Sequence, residues 1–212
     1  MGCDIHLTLE RRLRKDRKHV ISPKRTDVYG NVTAEERSWT EEAGKWRKCY
    51  ITGYDGTWGD RIYGMFARLA DVRSEGGKNL IPLRGFPEDA TDGTLERYCD
   101  LIVPDAEMEA NKDNEWFCEH RISETDAKEY VEKGYSVIIE RDGKRYCTGP
   151  DWHTPNWCTA EEMEMCVKDL FIDKETGQWH GDYDEWTALV GAMKGYEMSG
   201  EWECRAVFWF DN

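Results

Sequence analysis

Near its start the chain alternates strictly. In "CDIHLTLE" the odd positions Cys3, Ile5, Leu7 and Leu9 are apolar, and the even positions Asp4, His6, Thr8 and Glu10 are polar. A period of two sends the two sets to opposite faces, so the segment predicts a β-strand. The run "EWECRAVFWF" near the other end repeats the pattern, with Trp202, Cys204, Ala206, Phe208 and Phe210 on one face and Glu203, Arg205, Val207 and Trp209 on the other. Two matched terminal strands are expected to share one sheet.

Spacings of three and four mark the helices. "DRIYGMFARLADVRS" places Ile62, Met65, Phe66, Leu69 and Val72 on one helical face, with Asp60 as N-cap and Gly76-Gly77 as the end. "SETDAKEYVEKG" reads as a short helix opened by Ser123 and Asp126 and stopped by Gly134. Thr159, with Glu162 three residues on, caps a helix through "AEEMEMCVKDLF", and "DYDEWTALVGAMKG" forms another through Trp186, Leu189, Val190 and Met193. Asp142-Gly143 lies between two strand-like runs and predicts a hairpin. "IPLRGFPEDATDG" and the Pro-rich stretch before Trp157 read as loops, and Thr26 to Asp60 as loop with short strands around "KWRKCYITG".

The expected fold is therefore α+β: a mainly antiparallel sheet holding both terminal strands, three to four helices packed around it, and one domain over residues 1–212. No repeat interrupts it.

Charge narrows the partners. A formal net charge of -14 argues against a nucleic-acid partner, whose phosphates require clustered Lys and Arg. The basic run "RRLRKDRKH", Arg11 to His19, is expected to be a solvated hairpin end. No stretch approaches the roughly 18–20 apolar residues of a membrane span, and no basic region with an apolar signal core opens the chain, so neither a membrane partner nor secretion is expected. His6 stands where N-myristoylation requires Ser or Thr. Eight cysteines scattered without a C-x-x-C pair indicate reduced thiols, with no disulfide and no zinc ribbon.

The ordered blocks "MGCDIH", Arg61, Tyr63, Phe66, Leu69, Ala70, Val72 and Arg73, Arg84-Gly85 with Pro87 and Asp89, His153 and Trp157 before a Thr-capped helix, and the closing "FDN" resemble a family of bacteriophage and prophage proteins that begin with MGCDIH. These blocks cover about a fifth of the chain. The resemblance implies a phage origin and hence the host cytosol; it nominates positions and implies no activity. The chain departs from the family pattern at "HTPNW", where a Ser- and His-containing stretch is usual, and in a segment of about residues 94–149 that reads as an inserted helix and hairpin.

Among the nominated residues the arginines carry the most chemistry, because a guanidinium fork offers paired donors to phosphate or carboxylate. Arg84, on its Gly/Pro loop, leads, with Arg61 second; Arg61 and Arg73 are twelve residues apart and are not expected to reach one ligand. His153 and Trp157 add an imidazole and a π-face just ahead of a helix. Asp4 and His6 are expected to orient a ligand-binding arginine, Asp4 by pairing with Arg84 or Arg205 and His6 by hydrogen bonding on the same face. Cys3 points away from His6 and is expected in the core.

Three functions follow. The leading one is a phage accessory protein that binds a small anionic ligand, a nucleotide or nucleotide-derived host defence signal, through Arg84, Arg61, His153, Trp157, Asp4, His6 and Arg205. The second is a metal-dependent hydrolase of a phosphoester or glycosidic bond, with Asp4, His6 and His153 holding the ion. The third is an acidic inhibitor of a host enzyme. No Walker loop, G-x-G-x-x-G, G-x-S-x-G or H-E-x-x-H occurs, and no cofactor is called for.

Overall fold

The computed structural model describes residues 2–21, 25–26, 32–33, 37–49, 61–74, 79–181 and 183–211. Their elements in the first half are β1 (Ile5–Leu13), β2 (Arg17–Ile21), β3 (Arg25–Thr26), β4 (Val32–Thr33), β5 (Arg37–Glu41), β6 (Arg47–Lys48), α1 (Tyr63–Ala70), α2 (Asp92–Tyr98) and β7 (Cys99–Val103). There follow α3 (Asp105–Ala110), α4 (Glu115–Glu119), β8 (Arg121–Ser123), α5 (Glu124–Glu132), β9 (Ile138–Arg141), β10 (Lys144–Thr148), β11 (His153–Thr159), α6 (Ala160–Phe171), α7 (Asp184–Glu197) and β12 (Trp202–Phe210).

As the alternation predicts, β1 and β12 lie side by side, antiparallel, from Ile5 opposite Phe210 to Leu13 opposite Trp202. The sheet is completed in the order β11-β12-β1-β6. Its odd β1 face and the matching β12 residues Cys204, Ala206, Phe208 and Phe210 form the main core with Phe66 and Leu69 of α1, Met163 and Val167 of α6, and Leu189 and Met193 of α7. Burying each of these larger side chains stabilises the fold by roughly 1.5–3 kcal/mol, which fixes the helices to this face.

The opposite face is also buried. Trp209 packs there with Leu95 and Tyr98 of α2 and with Phe86 and Trp152. Thr8, Glu10 and Arg205 on this face are almost wholly sealed from solvent. Thr8 and Glu10 of β1 are therefore polar residues inside the protein, and each needs a partner.

A second sheet, β8-β7-β10-β9, occupies the inserted segment with α3, α4 and α5 around it. The expected helix and hairpin are present as α5 and β9–β10. Asp142 (φ 50°) and Gly143 (φ 74°) make the two left-handed turn residues that a tight hairpin requires. The segment also holds β7 and β8, paired in parallel, beyond the expected helix and hairpin. Ser123 caps α5 by accepting from the Asp126 N–H, and Gly134 follows the helix at φ 72°.

Two expectations change. The Pro-rich stretch before Trp157 is an edge strand, β11, not a loop: Pro155 lies at a register shift between His153 and Asn156, where a missing N–H is tolerated. The run Arg11 to His19 is exposed over residues 14–18, but β2 then pairs with β5 rather than returning on β1. The proposed cap Asp60, the stop Gly76-Gly77 and the terminal Asn212 lie outside the described residues; α1 opens at Ile62 without a side-chain cap. All eight cysteines are free thiols. Among the described residues no helix is long and apolar enough to cross a membrane.

Candidate functional site

Asp4, just before β1, and the even β1 residues His6, Thr8 and Glu10 lie along the second face. At one end Asp4 accepts two hydrogen bonds from Arg61, at 2.6 and 2.9 Å. These bonds and the Arg61 charge hold the Asp4 carboxyl below the usual carboxylate range. Next, His6 stacks flat on Trp209 at 5.8 Å, and its Nε2 meets Asp211 Oδ2 at 3.1 Å. Asp211 Oδ1 accepts the Asp4 backbone N–H at 2.7 Å, tying the two chain ends together. Thr8 Oγ1 accepts from Arg97. Glu10, fully buried, accepts from the Thr91 N–H and the Thr94 hydroxyl through Oε1 and from Arg205 Nε through Oε2.

Arg205 is the centre of a stack of alternating guanidinium and indole groups. Its guanidinium carbon lies 3.9 Å from the Trp46 ring centre and 5.6 Å from that of Trp157. Arg12 lies 4.5 Å from Trp46, and Arg84 lies 4.5 Å from Trp157. Arg12, Trp46, Arg205, Trp157 and Arg84 thus form a ladder across the sheet, since Arg12 comes from β1, Trp46 from the residue before β6, Arg205 from β12 and Trp157 from β11. Each contact is worth about 0.5–2 kcal/mol, more where water is excluded.

Every arginine of the ladder is paired to a carboxylate. Arg12 Nε donates to Glu203 at 2.8 Å, Arg205 Nη1 to Asp89 at 2.7 Å, and Arg84 to both oxygens of Glu162 at 2.5 and 2.9 Å. Burial pushes the Glu162 carboxyl up, but hydrogen bonds from Arg84 and the Thr159 N–H outweigh it and hold the group below its ordinary value. Burial also pushes Asp89 up, and donors from Arg205 and Trp46 likewise pull it down on balance.

Two devices position Arg84. The Asn156 side chain, fully buried, donates to the Leu69 and Pro82 carbonyls and accepts the Arg84 N–H, so the loop is held to the end of α1. From the second sheet, Arg141 donates to the Glu88 and Ala90 carbonyls and fixes the loop's far side.

A cleft of about 620 Å³ opens over the ladder, walled by Arg12, Trp46, Arg84, Phe86, Trp157 and Arg205 among others. Its size falls within the range of about 300–1,000 Å³ typical of small-molecule sites. Arg12 uses only Nε on Glu203, and Arg84 makes no bond through Nε; both therefore retain donors among the described residues.

The structure brings Arg84, Trp157 and Arg205 together at this cleft. It places Asp4, His6 and Arg61 at the other end of the same face. The expected pairing of Asp4 with Arg84 or Arg205 is replaced by Arg61, because Glu162 and Glu10 lie closer to those two arginines. His153 stacks on Phe210 at 6.0 Å, and Phe210 belongs to the helix-covered core, whereas His6 stacks on Trp209 across the sheet. Asp4, His6 and His153 therefore do not converge. Among the described residues no group of three or more His, Cys, Asp or Glu side chains is placed to hold a metal ion.

Sequence reasoning missed Trp46, Arg12, Glu10 and Asn156 as members of these sites, and it gave no role to Asp89 and Asp211, which stand in the blocks of the family resemblance. Glu10 and Arg205 carry a usable signal, as opposite charges on the same kind of face of two strands expected to pair. Asn156 carries none, since its role depends on two carbonyls that the fold supplies. No family model, curated protein or solved structure matches the chain.

Proposed function

We propose that this protein is a phage accessory protein that binds a small anionic ligand of nucleotide type in the cleft over the arginine–tryptophan ladder. Binding of this kind sequesters a host defence signal. The observation that supports the reading is the convergence of Arg84, from the Gly/Pro loop, and Trp157, from β11, on one open cleft with Arg12 and Phe86. Guanidinium planes and aromatic edges suit a flat base, and the unused N–H groups of Arg12 and Arg84 suit a single anionic group.

The hydrolase reading lacks such support, because His6 and His153 occupy opposite faces of the sheet. Native mass spectrometry of the purified protein with a nucleotide and metal panel, followed by calorimetry, tests the proposal. A nucleotide is expected to be retained, and Arg84→Ala is expected to weaken binding at least about tenfold, near 1.4 kcal/mol. His6→Ala, at the far end of the face, should leave affinity unchanged. Retention of no nucleotide, or wild-type affinity in Arg84→Ala, would overturn it.

A further inference from the structure

Helices α3 and α4 of the inserted segment bury no residue of their own. Trp116 of α4 is 62% exposed. Glu107, Asp113, Glu115 and Glu119, on the two helices and the turn between them, are exposed, and among the described residues no cation pairs with them. Lys112 is the only Lys or Arg in residues 105–120, and Glu109 already holds it. The aromatic rings here do accept cations, since the Arg121 guanidinium carbon lies 4.6 Å from the Phe117 ring centre and 5.1 Å from that of Trp116. Trp116 stays mostly open all the same.

The opposite charge stands at the turn from β1 into β2, where residues 14–18 are all exposed. Arg14 Nε donates only to a carbonyl, that of Trp202, and among the described residues neither Lys15 nor Lys18 pairs with a carboxylate. Arg17 is matched by Glu201 and is left out of the count. Arg14, Lys15 and Lys18 therefore stand against one local carboxylate, Asp16, which accepts the Ala43 N–H. Positive charge is in surplus at this turn.

Two copies of a chain of net charge -14 repel each other at long range, but at physiological salt that repulsion is screened beyond about 8 Å. The faces that meet then decide the outcome. An acidic face approaching the acidic α3–α4 segment is opposed, whereas the basic turn is drawn to it.

We propose that the α3–α4 face of one copy docks the β1–β2 turn of a second copy, with Trp116 against the stems and charges of Lys15 and Lys18 and the open carboxylates against Arg14, Lys15 and Lys18. Long cationic side chains suit this role, because their methylene stems cover an indole while their heads reach the acids around it. Each copy carries both surfaces, so the contact joins unlike patches. It is small and largely charged, and therefore a weak, reversible one.

Sedimentation velocity of the full chain from about 5 to about 500 µM, at about 0.15 M salt, provides the test. The wild type is expected to associate reversibly, and Trp116→Ala, at an exposed position, should weaken association at least about tenfold with an unchanged thermal unfolding midpoint. Lys15→Glu/Lys18→Glu makes both surfaces acidic, and Asp113→Lys/Glu119→Lys makes the α3–α4 face basic like the turn. Each variant alone should be monomeric. An equimolar mixture of the two should associate, because every contact between unlike copies is again complementary, and that recovery also shows that both variants are folded. A wild type that is monomeric throughout, a charge-reversed variant or Trp116→Ala that associates as the wild type does, or a mixture that stays monomeric would overturn the proposal.

Discussion

Glu10 and Arg205 stand opposite each other on neighbouring strands, and their charged groups meet at 2.7 Å with 0% and 3% of the side chains exposed. The pair is the junction of the structure. Glu10 holds the start of α2 through Thr91 and Thr94, and Arg205 carries the ladder between Trp46 and Trp157.

Arg205→Met is therefore expected to destabilise the protein by about 3–5 kcal/mol, because it leaves the Glu10 carboxylate buried without its cation. Adding Glu10→Leu should recover only part of that loss, since the Thr91 N–H and Thr94 hydroxyl then lose their acceptor. Urea unfolding of the two single variants and the double variant measures both effects. A single variant of wild-type stability would show that the pair is not held as described.

Asn156→Leu removes one side chain and strands three backbone groups, the Leu69 and Pro82 carbonyls and the Arg84 N–H. Each stranded buried group costs about 1–3 kcal/mol. The variant should be strongly destabilised, and under conditions where it remains folded its Arg84 amide should exchange hydrogen faster than in the wild type. Unchanged exchange at Arg84 would place the loop's anchor elsewhere.

Acid should weaken the fold in a defined direction. The carboxyls of Asp4, Glu203, Asp89 and Glu162 all sit below their ordinary values; for Asp4 and Glu203 the largest cause is a hydrogen bond from Arg61 and Arg12 respectively. A carboxyl lowered in the folded state contributes stability above its unfolded value, and that contribution is lost as pH falls through the folded value. Stability from these groups should be constant from about pH 7 to about pH 5 and should fall below about pH 4. Glu203→Gln should flatten part of the fall, which urea midpoints across the pH range will report.

Gly2→Ala tests why the chain opens as it does. A Cβ at this position would lie 1.9 Å from Arg61 Nη1 and 2.3 Å from its Cζ, so the guanidinium must leave its place against the backbone. Arg61 is 54% exposed and can move, so stability should change little. The Asp4 carboxyl should titrate upward as it loses its cation, observable by carbon NMR of the side chain. An unmoved titration would mean that Arg61 keeps the pair from a different direction.

Much of the fold was legible in the pattern alone. Strict alternation in Cys3–Glu10 and Trp202–Phe210 determined two strands, their faces and their partnership, because a one-residue slip would expose Ile5, Leu7 and Phe208 together. Trp186, Leu189, Val190 and Met193 determined α7, and Thr159 with Glu162 determined where α6 begins, because both signals are local and set by the helical repeat. The fate of the polar face was not local. Asp4, His6, Thr8 and Glu10 could have faced water; α2, Trp152 and Phe86 cover that face, and only then must each polar group find Arg61, Asp211, Arg97 or Arg205. Arg84, Trp157 and Arg205 were legible as candidates one by one, but they lie on a loop, β11 and β12, and Trp46 lies just before β6. Their contact depends on sheet order, which brings distant residues within van der Waals reach and is written in no single stretch of the chain.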